Sequence, residues 1–258
     1  MSHRPRKRFG QNFLHDANII AQIVGAIAPK TGECLVEIGP GLGAITVPLL
    51  RSAGRLNVIE LDRDLIPALE RRCVGAGTLI VHQCDVLDFD LSSLAPQPGS
   101  LRVIGNLPYN ISTPILFHLL GQREWIRDMH FMLQREVVDR MGAAPGSRAF
   151  GRLSVMVQYH CEVTPLFGIG PEAFRPQPKV ESALVRLTPR PCPAGSADLV
   201  SLDAVVRAAF SQRRKKLSNT LKPLFDRPAL VAAGVDPDAR AETLSLADFV
   251  ALANALDR

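Results

Sequence analysis

The chain has 258 residues, 47% of them hydrophobic and 21% charged, with a formal net charge of +5. That composition excludes a disordered chain and suits one large domain, or one with a small appendage. No run approaches the ~20 apolar residues of a membrane span, and the start, Met1 to Arg8, lacks the apolar core of a secretory signal, so a cytoplasmic protein is expected.

The positive charge is uneven. Arg4, Arg6, Lys7 and Arg8 crowd the N-terminus, and the stretch from Arg207 to Lys222 holds Arg207, Arg213, Arg214, Lys215, Lys216 and Lys222 without an acid. Taken singly, each block reads equally as a solvated face; together they suggest a polyanionic partner, with nucleic acid the first candidate. The cysteines Cys34, Cys73, Cys84, Cys161 and Cys192 form no C-x-x-C pair and read as reduced structural thiols. The histidines are scattered, and His160 beside Cys161 lacks the i, i+4 spacing that aims two ligands at one ion, so no metal site is expected.

In chain order, residues 17–28 repeat apolar side chains at helical spacing behind a capping Asp16, and Pro29 and Gly32 end that helix. Residues 33–38 read as a buried strand, followed by the glycine turn Gly39-Pro-Gly-Leu-Gly43, an apolar helix to about Leu50, and a strand over 56–60. The second strand ends in Glu60, 21 positions after Gly39. A carboxylate at that point suits two ribose hydroxyls, and glycines let the backbone approach a ligand, which together make a nucleotide-type half fold. The spacing is G-x-G-x-G, not G-x-G-x-x-G, which favours a ligand with a ribose and little phosphate.

The alternation continues with a helix over 65–72 and a strand over 79–83, after which Asp85 is either a turn former or an acceptor for an adenine amino group, with Val86 supplying a main-chain N–H. A strand over 101–105 runs into the corner Asn106-Leu107-Pro108-Tyr109. Pro108 stiffens the bend and disfavours the helical region for Leu107. The corner is either an ordinary strand-to-helix turn or a site where the Asn106 amide oxygen, a carbonyl of Leu107 or Pro108 and the Tyr109 ring receive a planar base with an exocyclic amine. Further on come a helix over 114–120, a strand over 129–133, a helix over 135–141, a loop over 142–151, and a segment at 153–161 read as helix. Strands over 163–167 and 182–187 flank a proline-stiffened extended loop at 174–180. A Pro/Gly/Ser linker at 189–196 precedes three helices over 203–210, 216–225 and 244–256, dividing the chain into domains at 1–189 and 190–258.

Seven segments in this order, Arg8-Phe-Gly-Gln-Asn-Phe-Leu14, Val36-Glu-Ile-Gly-Pro-Gly-Leu-Gly43, Glu60, Cys84-Asp85, Asn106-Leu-Pro-Tyr109, Phe174-Arg-Pro-Gln-Pro-Lys-Val-Glu-Ser182 and Phe210-Ser-Gln-Arg-Arg-Lys215, resemble the bacterial small-subunit ribosomal RNA adenine dimethyltransferase family over nearly the whole chain. The resemblance implies an α/β fold, a Rossmann-like class I S-adenosylmethionine-dependent methyltransferase sheet with a small C-terminal helical domain. It also implies dimethylation at N6 of two adjacent adenosines in the 3′-terminal hairpin loop of 16S rRNA, within the assembling small subunit, by a monomer. By similarity, Asn12 and Leu14 close over the methionine part of the cofactor, Gly39 and Gly41 pass beneath it, Glu60 holds the ribose and Asp85 with Val86 reads the adenine. Asn106, Leu107, Pro108 and Tyr109 form the catalytic corner, Phe174 closes the other face of the base, and Arg213, Arg214, Lys215 and Lys216 contact RNA phosphates. Gln11 to Leu14 without the resemblance reads as a helix-entry segment. Rival readings are a large-subunit RNA methyltransferase, a DNA adenine methyltransferase, an assembly factor with dispensable catalysis and a nicotinamide dehydrogenase.

Overall fold

The computed structural model describes residues 12–191 and 197–256. The N-terminal cations Arg4, Arg6, Lys7 and Arg8, together with Cys192, lie outside the described residues. The chain divides into two compact units, one running through Val138 and resuming over Thr164–Pro189, the other formed by Asp139–Val163 and the residues from Arg190 onward.

The first unit starts with β1 (Phe13–Leu14) and α1 (Ala17–Ile27). Asp16 begins α1 as expected, its carboxylate accepting from the Asn18 and Ile19 N–H groups at 2.8 and 3.1 Å. Then β2 (Cys34–Ile38), α2 (Thr46–Ala53), β3 (Arg55–Ile59), α3 (Ile66–Cys73) and β4 (Thr78–His82) follow in βα rhythm, and β5 (Leu101–Asn106), α4 (Ser112–Gly121) and β6 (Ile126–Gln134) repeat it. The five strands pair in parallel in the order β4-β3-β2-β5-β6. Their central residues Val36, Val58 and Val103 are wholly buried, which is why these strands read as continuous apolar runs with no alternation.

The chain builds β2, β3 and β4 toward one edge and then returns to lay β5 on the other side of β2. That reversal opens a crevice at the carboxyl ends of β2 and β5, where such sheets bind their ligands. At the opposite ends of the strands, Arg102 on β5 is nearly enclosed and fully engaged: its Nε meets both Asp128 oxygens at 3.1 and 3.0 Å, and its two terminal nitrogens donate to Glu33 Oε2 at 2.8 Å and Ile27 O at 2.7 Å. One buried cation thus ties α1, the residue that leads into β2, and strands β5 and β6 together at the base of the sheet.

Past β6 come α5 (Arg135–Met141), α6 (Arg152–His160), β7 (Cys161–Ile169), β8 (Phe174–Arg175) and β9 (Ser182–Pro189). Strand β9 runs antiparallel to β6 and the sheet ends on β7. The extended loop expected at 174–180 holds a short element at its start. Phe174 and Arg175 pair antiparallel with Leu14 and Phe13, so the segment before α1, expected as a helix entry, is a strand. Two-residue strands carry no periodicity, and their register is set by a partner 160 positions away in sequence.

In the second unit, α7 (Leu199–Ala209) starts earlier than its apolar spacing suggests because Asp198 caps it through the Val200 and Ser201 N–H groups. The helix expected over 216–225 is instead α8 (Leu217–Thr220), followed after a turn by α9 (Arg227–Ala232). Pro223 has no N–H to donate and its ring crowds the preceding turn, so a helix cannot pass through it, whereas Pro228 sits in the first turn of α9, where proline is tolerated. The last helix, α10 (Leu246–Leu256), meets α7 through Phe249 and Phe210, whose rings stack with centroids 5.7 Å apart.

Candidate active site

The turn after β2 depends on its glycines. Gly39 and Gly41 adopt φ of +66° and +56°, the left-handed region that costs other residues roughly 1–2 kcal/mol. A side chain on Gly41 would also sit 3.1 Å from the Phe13 ring, so the turn and β1 pack closely across the crevice. Glu60, just beyond β3, secures this cradle by accepting from the Gly41 N–H at 3.2 Å and the Asp62 N–H at 2.8 Å. Burial raises its pKa, against the lowering effect of those N–H groups. Asp85 follows β4, and one of its oxygens caps the next turn by accepting from Leu87 N–H at 2.9 Å, leaving the other oxygen uncommitted to that bond. Beside it, Val86 is buried.

Across the crevice, β5 delivers the corner. Asn106 Nδ2 donates to the Asn12 main-chain oxygen at 2.9 Å. Because that partner can only accept, the amide orientation is fixed and Oδ1 is left without a hydrogen bond among the described residues. The carbonyls sort themselves in the same way: that of Pro108 accepts from Ile111 N–H at 3.2 Å and that of Tyr109 accepts from Ser112 Oγ at 3.3 Å, while no described group hydrogen-bonds the carbonyl of Leu107. Of the two carbonyls the sequence left open, that of Pro108 already accepts a hydrogen bond and that of Leu107 accepts none among the described residues. The Tyr109 hydroxyl shares a 2.5 Å hydrogen bond with Ser182 Oγ at the start of β9, which fixes the far end of the ring, and burial raises its pKa.

These groups line one crevice of about 330 Å³: Asn12 and Leu14, the turn at Gly39 and Gly41, Glu60, Asp85 with Val86, and Asn106 through Tyr109. Phe174 is not brought to it. Its ring is 1% exposed and packs in the hydrophobic core with Leu14, opposite it in the β1–β8 pair. Nor do the basic residues of the second unit act as a uniform block. Arg213 donates to Glu242 at 3.0 Å and to the Arg148 carbonyl, and Lys216 pairs with Asp238 at 3.1 Å, whereas Arg214 and Lys215 are exposed and have no ion pair among the described residues.

One crevice residue was not singled out from the sequence. Glu37 on β2 is 1% exposed, its Oε2 has no hydrogen-bond partner, and burial pushes its pKa up to about 8, with the nearby Glu60 charge adding to the shift. The signal was a lone carboxylate inside the apolar run Cys34-Leu-Val-Glu-Ile38. Among the described residues no cluster of three or more His, Cys, Asp or Glu side chains could hold a metal, and no helix is long and apolar enough to cross a membrane.

A parallel sheet whose strand order reverses at β2, with β9 set antiparallel to β6 and a crevice held against a glycine turn, is the architecture of the Rossmann-like class I methyltransferases. Two solved structures share it along almost the full chain. A dimethyladenosine transferase from Plasmodium falciparum superposes with a TM-score of 0.79 at 25% identity, covering 93% of this chain and 95% of that one. The 23S rRNA methyltransferase ErmE superposes with a TM-score of 0.70 at 25% identity, covering 96% and 100%.

The particular family follows from the sequence comparisons. A model of the ribosomal RNA adenine dimethylase family matches residues 2–258, and the chain belongs to that family. Among curated relatives, the ribosomal RNA small subunit methyltransferase A of Pseudomonas putida is 57% identical over 98% of this chain and 96% of its own length. The proteins of the same name from Methylococcus capsulatus and Pseudomonas aeruginosa are 56% and 58% identical, covering 100% of both chains and 98% and 95%, respectively.

Proposed function

We propose that this protein transfers methyl groups from S-adenosylmethionine to N6 of two adjacent adenosines in the 3′-terminal hairpin loop of 16S rRNA, late in the assembly of the small subunit in the cytoplasm. The observation that carries this reading is the sharing of one crevice by a nucleoside cradle, Gly39, Gly41, Glu60 and Asp85, and by a corner whose two free acceptors are Asn106 Oδ1 and the Leu107 carbonyl. The names of relatives at 56–58% identity favour the small-subunit target, whereas the resemblance to the 23S rRNA methyltransferase is 25%.

The residues fit the cofactor. Gly39 and Gly41 leave the turn without side chains, Glu60 and the open oxygen of Asp85 suit ribose hydroxyls and an adenine amine, and Asn12 with Leu14 flanks the other side. S-adenosylmethionine supplies an electrophilic methyl group. The chain's own task is to present the amine, whose lone pair is delocalised into the purine ring. Two acceptors at fixed positions, Asn106 Oδ1 and Leu107 O, hold the two N–H bonds before the first transfer and the one that remains before the second, favouring a pyramidal nitrogen, while the Tyr109 ring, pinned by Ser182, receives the base face. No side-chain base is required, because the cationic product amine releases its proton to water. The base must leave its stack, which costs roughly a few kcal/mol and least in a hairpin loop. Exposed Arg214 and Lys215 then serve as phosphate contacts.

The test is incubation with labelled S-adenosylmethionine and a mixture of undermethylated small and large subunits, followed by mapping of modified nucleosides. Two adjacent dimethyladenosines are expected. Label confined to large-subunit RNA, or assembly rescue by an Asn106→Ala variant without any label, refutes the reading.

A further inference from the structure

A second cavity, of about 430 Å³, backs onto the crevice. Phe13 and Leu14, with Leu42 and Ala44, line both cavities and form the wall between them. The outer groove has an apolar side made by Phe13, Leu42 and Pro176, three basic side chains, His15, Arg72 and Arg175, and no carboxylate among its lining residues. Arg72 spends one terminal nitrogen on the Leu42 carbonyl at 2.8 Å. Arg175 is exposed, and its guanidinium has no ion pair or hydrogen bond among the described residues, although its main chain is held in register against Phe13.

An apolar wall facing two guanidiniums is complementary to a nucleotide, a flat ring joined to an anion. The volume lies in the roughly 300–1,000 Å³ range of small-ligand sites. The chain's own N-terminal segment is a poor occupant, since Arg4, Arg6, Lys7 and Arg8 carry the same charge as the groove. We propose that this groove receives the RNA nucleotide next to the one whose base enters the crevice, with its phosphate on Arg175 and Arg72 and its ring against Phe13 and Pro176. This inference rests on the RNA-methylating function proposed above and adds a subsite to it. The subsite holds the neighbouring nucleotide as the target is extruded, so that base and backbone are gripped on opposite sides of the Phe13–Leu14 wall.

The test compares the wild type with Arg175→Gln and Arg175→Lys, measuring the dissociation constant for undermethylated small subunits across a salt series. Loss of one phosphate contact lowers the slope of log K against log salt by about 0.7–0.9 and weakens binding about five- to tenfold at moderate salt. Arg175→Gln is expected to show both effects, Arg175→Lys to keep the wild-type slope, and all three proteins to bind S-adenosylmethionine alike. An unchanged slope in Arg175→Gln overturns the subsite while leaving the proposed function standing. Failure of the wild type to bind or methylate the subunits removes the function itself. Repeating Arg175→Gln in a full-length chain with Arg4, Arg6, Lys7 and Arg8 changed to Gln checks the rival occupant: the same drop is expected, and a drop that disappears assigns the groove to the N-terminal segment and overturns the proposal.

Discussion

Replacing Glu37 by Gln changes how stability responds to pH, by an amount the structure sets. Burial lifts this carboxyl from 4.5 to about 8, so the free protein at neutral pH holds it protonated while the unfolded chain ionises it. Between those two values the native state binds one more proton than the unfolded state, and stability falls as pH rises, at about 1.4 kcal/mol per pH unit. The penalty is absent below 4.5 and complete above about 8, where it totals about 5 kcal/mol. A Gln side chain has nearly the same shape and cannot ionise. Glu60 also has a raised pKa through burial but is present in both proteins, so its own contribution largely cancels in the difference. Urea unfolding of both proteins at half-unit steps from pH 5 to 9, without cofactor, is expected to show the variant gaining on the wild type by about 1.4 kcal/mol per unit and then levelling off near pH 8. A difference that stays flat across this range refutes the claim that Glu37 is neutral in the folded crevice.

Other substitutions probe the remaining parts of the site and its support. Gly41→Ala brings both a left-handed residue and a methyl group 3.1 Å from the Phe13 ring into the unliganded fold, so a loss of about 1–2 kcal/mol should appear in urea unfolding without cofactor; unchanged stability contradicts a turn that requires glycine. Ser182→Ala removes the 2.5 Å partner of the Tyr109 hydroxyl and is expected to lower kcat/KM for RNA by up to about tenfold with cofactor affinity intact, whereas equal kinetics would mean that the ring needs no pin. Arg102→Ala takes the guanidinium from the buried Asp128 and leaves the half-buried Glu33 with Arg127 alone, and should cost about 3–5 kcal/mol in urea unfolding, a loss below 1 kcal/mol arguing against the cluster as the tie at the base of the sheet. Arg214→Gln with Lys215→Gln, which spares the ion-paired Arg213 and Lys216, should flatten the salt dependence of subunit binding by about 0.7–0.9 per lost contact; an unaltered slope removes these two residues from the RNA surface.

Much of the parallel sheet was legible because its strands are buried on both faces and separated by glycine and proline turns, so Val36, Val58 and Val103 announce themselves as apolar runs. Gly39, Glu60 and Asp85 follow successive strands and Asn106 ends the next, an order that by itself puts them at one end of a parallel sheet. Contacts between distant short segments were not legible. The β1–β8 pair, the Asn12 carbonyl that orients Asn106, and the Ser182 hydroxyl on Tyr109 each join residues more than 70 positions apart, and none leaves a local pattern. The same pairing draws Phe174 into the core with Leu14, which its position in a proline-rich loop did not suggest. Apolar spacing favours one helix over 216–225, but Pro223 has no N–H to donate and α8 stops at Thr220. Charge counting overstated the Arg213–Lys216 block, since acids brought close only by folding, Glu242 and Asp238, pair with two of its four cations.

Whether a single crevice serves both the cofactor and the base is read from a structure of the protein with bound S-adenosylhomocysteine. In that structure the ribose hydroxyls are expected on Glu60, the adenine beside Asp85 and Val86, and the sulfur facing Asn106 Oδ1 and the Leu107 carbonyl. A ligand bound elsewhere with the glycine crevice empty, or a sulfur directed away from the Asn106 corner, would contradict a shared crevice.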